Sequence, residues 1–159
     1  MDANMQLIEK FYTAFQQRDH QTMNACYSED IIFSDPVFMI LKGDEVRAMW
    51  EMLCTNAKDF SLTFSNIQSV DEEYYTCGWS ASYTFSKTGN RVVNNAKAFM
   101  RIKDGKIIEH SDGFRLSKWI AQALGCKGVW FGWSGFMKRS VQKNAKASLL
   151  KFMENRAGS

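Results

Sequence analysis

The sequence predicts an α+β domain in which a curved, mostly antiparallel sheet forms a cone around N-terminal helices, with a helical tail beyond it. Three observations carry this. Apolar residues recur at helical spacing through the first third of the chain. From residue 60 the period changes to two and stays there to about residue 116. After that the chain becomes strongly basic.

Residues 4–17 place Met5, Ile8, Phe11, Tyr12 and Phe15 on one helical face. Residues 20–28 read as a second short helix with Met23, Cys26 and Tyr27 turned inward. Ile31 to Asp35 is a short strand stopped by Pro36, the only proline. Lys42-Gly43-Asp44 breaks the chain, and Asp44 is expected to cap a helix running to about Ala57. That helix buries Val46, Met49, Trp50, Met52 and Leu53.

Strand patterns follow. Phe60, Leu62 and Phe64 alternate with Ser61, Thr63 and Ser65, and Trp79, Ala81, Tyr83 and Phe85 alternate with Ser80, Ser82, Thr84 and Ser86. Strands near 91–103 and 106–116 are joined by Asp104-Gly105, a strong two-residue hairpin signal. A short helix over 116–124, a Gly- and aromatic-rich stretch over 125–135, and a last helix over about 136–154 complete the chain.

The 159 residues make one domain, divided into a body over 1–116 and a basic, Trp-rich extension over 117–159 packed on it. No apolar run approaches the roughly 18 residues needed to cross a bilayer. The start, Met1-Asp2-Ala3-Asn4, lacks a basic, apolar leader, so a cytoplasmic location is the expectation. Cys26, Cys54, Cys77 and Cys126 are too far apart for a zinc site, and with two histidines no His-rich metal centre can be built. Buried thiols, no metal and no cofactor are expected. Nucleotide-loop, serine-hydrolase and zincin motifs are absent from the sequence.

Charge divides the chain. Residues 1–115 carry 12 Lys/Arg against 16 Asp/Glu, a net of −4; residues 116–159 carry 8 against Glu154 alone, a net of +7. A helix with an apolar stripe and a lysine-rich remainder either docks on its own domain or lies on an anionic membrane. We expect the tail to fold back and cover part of the cavity entrance or the outer sheet, drawn by the opposite charge of the body. The loop around Trp130, Gly132 and Trp133 would then reach the mouth or a dimer interface. Membrane contact through 136–154 is the alternative. No basic strip with interleaved aromatics marks the body for nucleic acid.

Two carboxylates stand out. Asp35 precedes Pro36, which forces it to be extended; it is either a plain strand-ending turn or a carboxylate at a cavity mouth beside Phe33 and Phe38. Asp112 interrupts an apolar strand. If Asp104-Gly105 is a two-residue turn, Lys103 faces Lys106, Lys97 falls opposite Asp112 and Phe99 opposite His110. The Lys97–Asp112 pair is then either a structural ion pair or an acid/base pair inside the cone. Tyr83 and Trp79, with Trp50, Phe33, Phe99 and His110, would form an apolar wall suited to a ring-containing or terpenoid-like ligand.

This order of elements, with Asp35-Pro36-Val37-Phe38 closing the early strand and Asp104-Gly105-Lys106-Ile107-Ile108-Glu109-His110-Ser111-Asp112-Gly113-Phe114 on the last hairpin, resembles the SnoaL-like branch of the nuclear-transport-factor-like superfamily. The resemblance covers about residues 4–116. It implies a cone-shaped sheet around a deep apolar pocket, and homodimers through the outer sheet face. The superfamily includes ketosteroid isomerases, limonene-epoxide hydrolases and polyketide cyclases. By this resemblance Asp35 looks like the isomerase base, and Asp112 like the carboxylate on the final strand of hydrolases and cyclases. The places of the isomerase's tyrosine and protonated aspartate hold Phe11 and Lys97, and that of the hydrolase's Arg-x-Asp reads Asn95-Ala96-Lys97. The expectation is a small-molecule pocket doing isomerase-, cyclase- or hydrolase-like acid/base chemistry with Asp112, Asp35 and Lys97. A non-catalytic ligand-binding domain, or an adaptor working through the tail, is the alternative.

Overall fold

The structure is a computed structural model, and it describes residues 2–125 and 134–158. Helix α1 spans Ala3–Gln16 and begins where the Asp2 carboxylate accepts the Met5 amide at 2.7 Å, a side-chain N-cap. Its Ile8, Phe11, Tyr12 and Phe15 are buried, as helical spacing requires. Helix α2 spans His20–Ala25 and strand β1 spans Tyr27–Asp35. The second helix is thus shorter than expected: Tyr27 already pairs with Ile107 in the sheet.

At the end of β1 the Asp35 carboxylate accepts the amides of Val37 (2.8 Å) and Phe38 (2.6 Å). This side-chain turn reverses the chain into β2, Met39–Lys42, which pairs back so that Asp35 faces Met39. The four-residue β2 had no pattern of its own in the sequence. Gly43, at φ 56°, caps helix α3, Asp44–Asn56. The expected capping role of Asp44 is corrected: it is the first helical residue and makes no cap hydrogen bond. Its carboxylate instead meets Arg156 at 2.7 Å.

Strands β3 (Lys58–Ser69), β4 (Tyr74–Thr84), β5 (Arg91–Lys103) and β6 (Lys106–Gly113) form the meander. The six-stranded sheet has the order β2-β1-β6-β5-β4-β3, antiparallel except where β1 runs parallel to β6. Asp104 and Gly105 both have positive φ (51° and 74°), the geometry of a type I′ turn, and Lys103 pairs with Lys106.

The register then slips. Ile102 pairs with Ile107, but Arg101 pairs with Glu109, so Ile108 is an extra residue in β6. The bulge lets Ile107, His110 and Asp112 all face inward, which strict alternation forbids. It also changes every pairing beyond it. Lys97 lies opposite Gly113, Phe99 opposite Ser111, and the partner of Asp112 is Ala98. The expected Lys97–Asp112 and Phe99–His110 pairs are therefore corrected. Lys97 and Phe99 are on the outer face, with the Lys97 ammonium 5.3 Å from the centre of the Phe99 ring.

Helix α4 spans Leu116–Leu124, and α5 spans Gly135–Ala157. Helix α5 lies against α3. Leu149 is fully buried, and Ala145, Phe152 and Met153 pack on the core beside it. Burying a leucine is worth about 1.5–3 kcal/mol. Around this anchor, Lys146 meets Glu45 (2.9 Å), and Arg156 meets Glu51 (3.0 Å) and Asp44 (2.7 Å). These half-exposed pairs join the basic tail to the acidic body and add modest, salt-sensitive energy. No described helix is long and apolar enough to cross a membrane. Cys26, Cys54 and Cys77 are buried free thiols, and burial pushes Cys54 up to about 12 and Cys77 to about 11. Cys126, Trp130, Gly132 and Trp133 lie outside the described residues.

Candidate functional site

The concave face of the sheet, with α1, α3, α4 and α5, encloses a cavity of about 430 Å³. Its wall is largely apolar and aromatic, with Phe15, Trp50, Trp79 and Phe85 among its side chains, and both Asp35 and Asp112 line it. Two strands bring the carboxylates there: Asp35 is the last residue of β1, and Asp112 sits near the end of the neighbouring, parallel β6.

Asp112 is 5% exposed and is held from behind. Its Oδ1 accepts the Trp79 indole N–H at 3.1 Å and bonds His110 Nε2 at 2.9 Å. The other ring nitrogen, Nδ1, bonds the Tyr27 hydroxyl at 2.7 Å, and that hydroxyl accepts the Trp50 indole N–H at 2.9 Å. Trp50 only donates, so the Tyr27 oxygen is its acceptor; a neutral His110 would accept the Tyr27 O–H at Nδ1 and donate Nε2–H to Asp112, and a doubly protonated ring would donate to both partners. Phe11 and Phe33 meet the imidazole edge-on, and Trp50 stacks on it. The chain Trp50–Tyr27–His110–Asp112 therefore fixes a buried carboxylate oxygen through successive hydrogen bonds. Burial, and next the Asp112 charge, hold the Tyr27 hydroxyl well above the usual tyrosine range.

Asp35 differs. One oxygen is occupied by the Val37 and Phe38 amides. Burial pushes its carboxyl up to about 7, with the nearby Asp112 charge acting in the same direction; the two amides and His110 pull the other way. A carboxyl titrating near neutrality beside an apolar cavity can both accept and deliver a proton at ordinary pH. Tyr83, also on the wall, accepts the Trp119 indole N–H from α4 at 2.7 Å, which leaves its own proton to donate. Burial raises its hydroxyl above the usual range.

Of the residues singled out in the sequence, Asp35, Asp112, Trp50, Trp79 and Tyr83 line this one cavity. His110 and Phe33 do not: both are buried behind the wall, where His110 holds Asp112 and Phe33 packs against the His110 and Trp50 rings. Lys97 and Phe99 point away from it, because they alternate along β5 with the buried Ala98 and Met100 and so lie on the outer face. Sequence reasoning missed Tyr27, assigned to a helix, and Trp119, read only as an apolar helix position. Their polar ends meet partners 83 and 36 residues away, which no local pattern reports. Among the described residues no cluster of three or more His, Cys, Asp or Glu is placed to hold a metal ion.

Residues 8–110 match the model of the SnoaL-like domain family. The chain belongs to that family. Solved structures with the same fold include an NTF2-like protein of unknown function from Burkholderia pseudomallei (TM-score 0.68, 21% identity, covering 77% of this chain and 98% of that one). A putative polyketide cyclase from a Silicibacter species is similar as well (TM-score 0.66, 23% identity, 74% and 92% covered). So is an LEH-like epoxide hydrolase from M. tuberculosis (TM-score 0.65, 17% identity, 80% and 92% covered). No curated protein matches the chain significantly. At these identities the likeness fixes the SnoaL-like cone and leaves the reaction to be argued from the cavity.

Proposed function

We propose that this SnoaL-like chain is an enzyme that moves a proton on a small, apolar, ring-containing or terpenoid-like molecule. The observation that carries the reading is the convergence of Asp35 and Asp112 on one largely aromatic cavity, with Asp35 poised to about 7. Asp35 is the acid/base group. Asp112, fixed through His110 and Trp79, accepts a hydrogen bond from the ligand or from a water that attacks it. Tyr83 donates to a ligand oxygen. This set suits shifting a proton next to a carbonyl, closing a ring, or adding water to a strained ether. Lys97 takes no part, because it lies on the outer face.

A non-catalytic binding domain is the second reading. It is favoured by Phe11 at the place matching the isomerase tyrosine, where it packs against Tyr12, Tyr27, Trp50 and His110. Thermal-shift screening against steroids, terpenoid epoxides and polyketide-like aromatics, followed by turnover assays on the hits, separates the two. The enzyme reading expects stabilisation by ring compounds and turnover lost in Asp35→Asn. Stabilisation by nucleotides or sugars alone would refute the apolar ring-containing ligand.

The partner reading extends to a second copy of the chain. Ile32, Tyr74 and Phe99 expose 42–48% of their surface on the outer face of the sheet. Pairing there would remove a patch that a monomer leaves in water. Sedimentation should give a dimer for the wild type and a monomer for Phe99→Asp; two identical profiles would remove the interface.

A further inference from the structure

The family match ends at residue 110, yet the cavity wall does not. Six residues of α5 line it: Met137, Ser140, Val141, Asn144, Ala145 and Ser148. Their spacing of three and four puts them on a single helical stripe. A neighbouring stripe does the anchoring, with Leu149 in the core and Lys146 and Arg156 paired to α3. On that anchoring stripe, one turn before Lys146, Gln142 Nε2 donates to the Pro36 carbonyl at 3.0 Å. Pro36 is the hinge of the turn in which Asp35 binds the Val37 and Phe38 amides. One helix thus touches both the ligand space and the backbone that aims the acid/base carboxyl.

We propose that α5 completes the ligand site: its cavity stripe sets which ring systems fit, and Gln142 is a positioning residue that holds the Asp35 turn closed against water. The inference rests on the pocket reading above and deepens it. Without the Gln142 bond, the Pro36–Val37 peptide is held only from its N–H side, by Asp35 itself, and the turn loosens enough for water to reach Asp35. The groups that face Asp35 electrostatically are Asp112 and His110 on β6 and Tyr83 on β4. None lies on α5, so a change made at Gln142 reaches Asp35 through the turn and its hydration, not through a charge.

The test uses the full chain and a neutral fluorescent probe, N-phenyl-1-naphthylamine, whose emission rises in apolar surroundings. Wild type should bind it. Ala145→Phe, which puts a ring into the cavity, should weaken binding by about tenfold or more. Ser148→Phe on the same stripe serves if Ala145→Phe fails to keep the wild-type circular dichroism spectrum. In Gln142→Met, which keeps the side-chain length and removes the donor, the Asp35 carboxyl followed by carbon-13 NMR should move from about 7 toward the ordinary aspartate value of about 4. Probe binding unchanged in the stripe variants would overturn the specificity role, and an unmoved Asp35 titration in Gln142→Met would overturn the positioning role. A wild type that binds no probe would overturn the pocket reading beneath both.

Discussion

Asp35→Asn should abolish turnover of any substrate that needs a proton moved near neutral pH, and should make the protein more stable in alkaline solution. A positioned acid/base group contributes roughly 10²–10⁴ in rate, and asparagine cannot supply that transfer. Asparagine can still accept the Val37 and Phe38 amides, so the turn should persist. The stability effect has a definite sign. The folded carboxyl sits at about 7, above the ordinary value of 3.8, so the folded state holds its proton more tightly than the unfolded chain. The contribution of Asp35 is fully present below about pH 4 and is lost as pH rises through about 7, an effect on the order of 4 kcal/mol. Denaturant unfolding at pH 5 and pH 8.5 reads it directly. The advantage of Asp35→Asn over wild type should grow between those two values, whereas parallel changes with pH would show that Asp35 titrates as an ordinary carboxylate.

Asp112→Leu should be the more damaging change to the fold. It removes the acceptor of both the Trp79 and the His110 N–H groups. Each buried donor left unmatched costs about 1–3 kcal/mol. In a chain of this size the pair corresponds to a fall in melting temperature of roughly 10 °C. Asp112→Asn keeps an oxygen for those donors and should melt close to wild type while losing activity. It also removes the charge that helps to raise Asp35, so the Asp35 titration should fall in that variant. Full activity in a folded Asp112→Asn would confine Asp112 to a structural part.

Much of this was legible in the sequence, for reasons that can be named. The two apolar periods fix which elements are helices and which are strands. Asp104-Gly105 sets the last hairpin, and Pro36 marks the end of β1 at Asp35. Both carboxylates were visible as polar residues closing or interrupting apolar strands. The register beyond the hairpin was not. Ile107 and Ile108 are equally good strand residues, and neither announces which of them is extra. One added residue turns β6 over and brings His110 and Asp112 to the inner face, while Lys97 and Phe99 stay on the outer face of β5, alternating with the buried Ala98 and Met100. The inward placement of Ile107 together with His110 and Asp112 contains that slip, because odd and even positions share one face only across a bulge. Tyr27 was hidden by lying at a helix–strand junction. The α5 wall was hidden because contacts over a hundred residues apart, such as Gln142 with Pro36, leave no periodic trace.

Whether Asp35, converging with Asp112 on one largely apolar cavity, carries a proton at neutral pH is read most directly by a carbon-13 NMR titration of the aspartate carboxyls in the full chain, with the Asp35 signal assigned by its loss in Asp35→Asn. The Asp35 midpoint should be about 7 and should fall when Asp112 is replaced by asparagine. An Asp35 midpoint of about 4 that ignores the change at Asp112 would contradict that role.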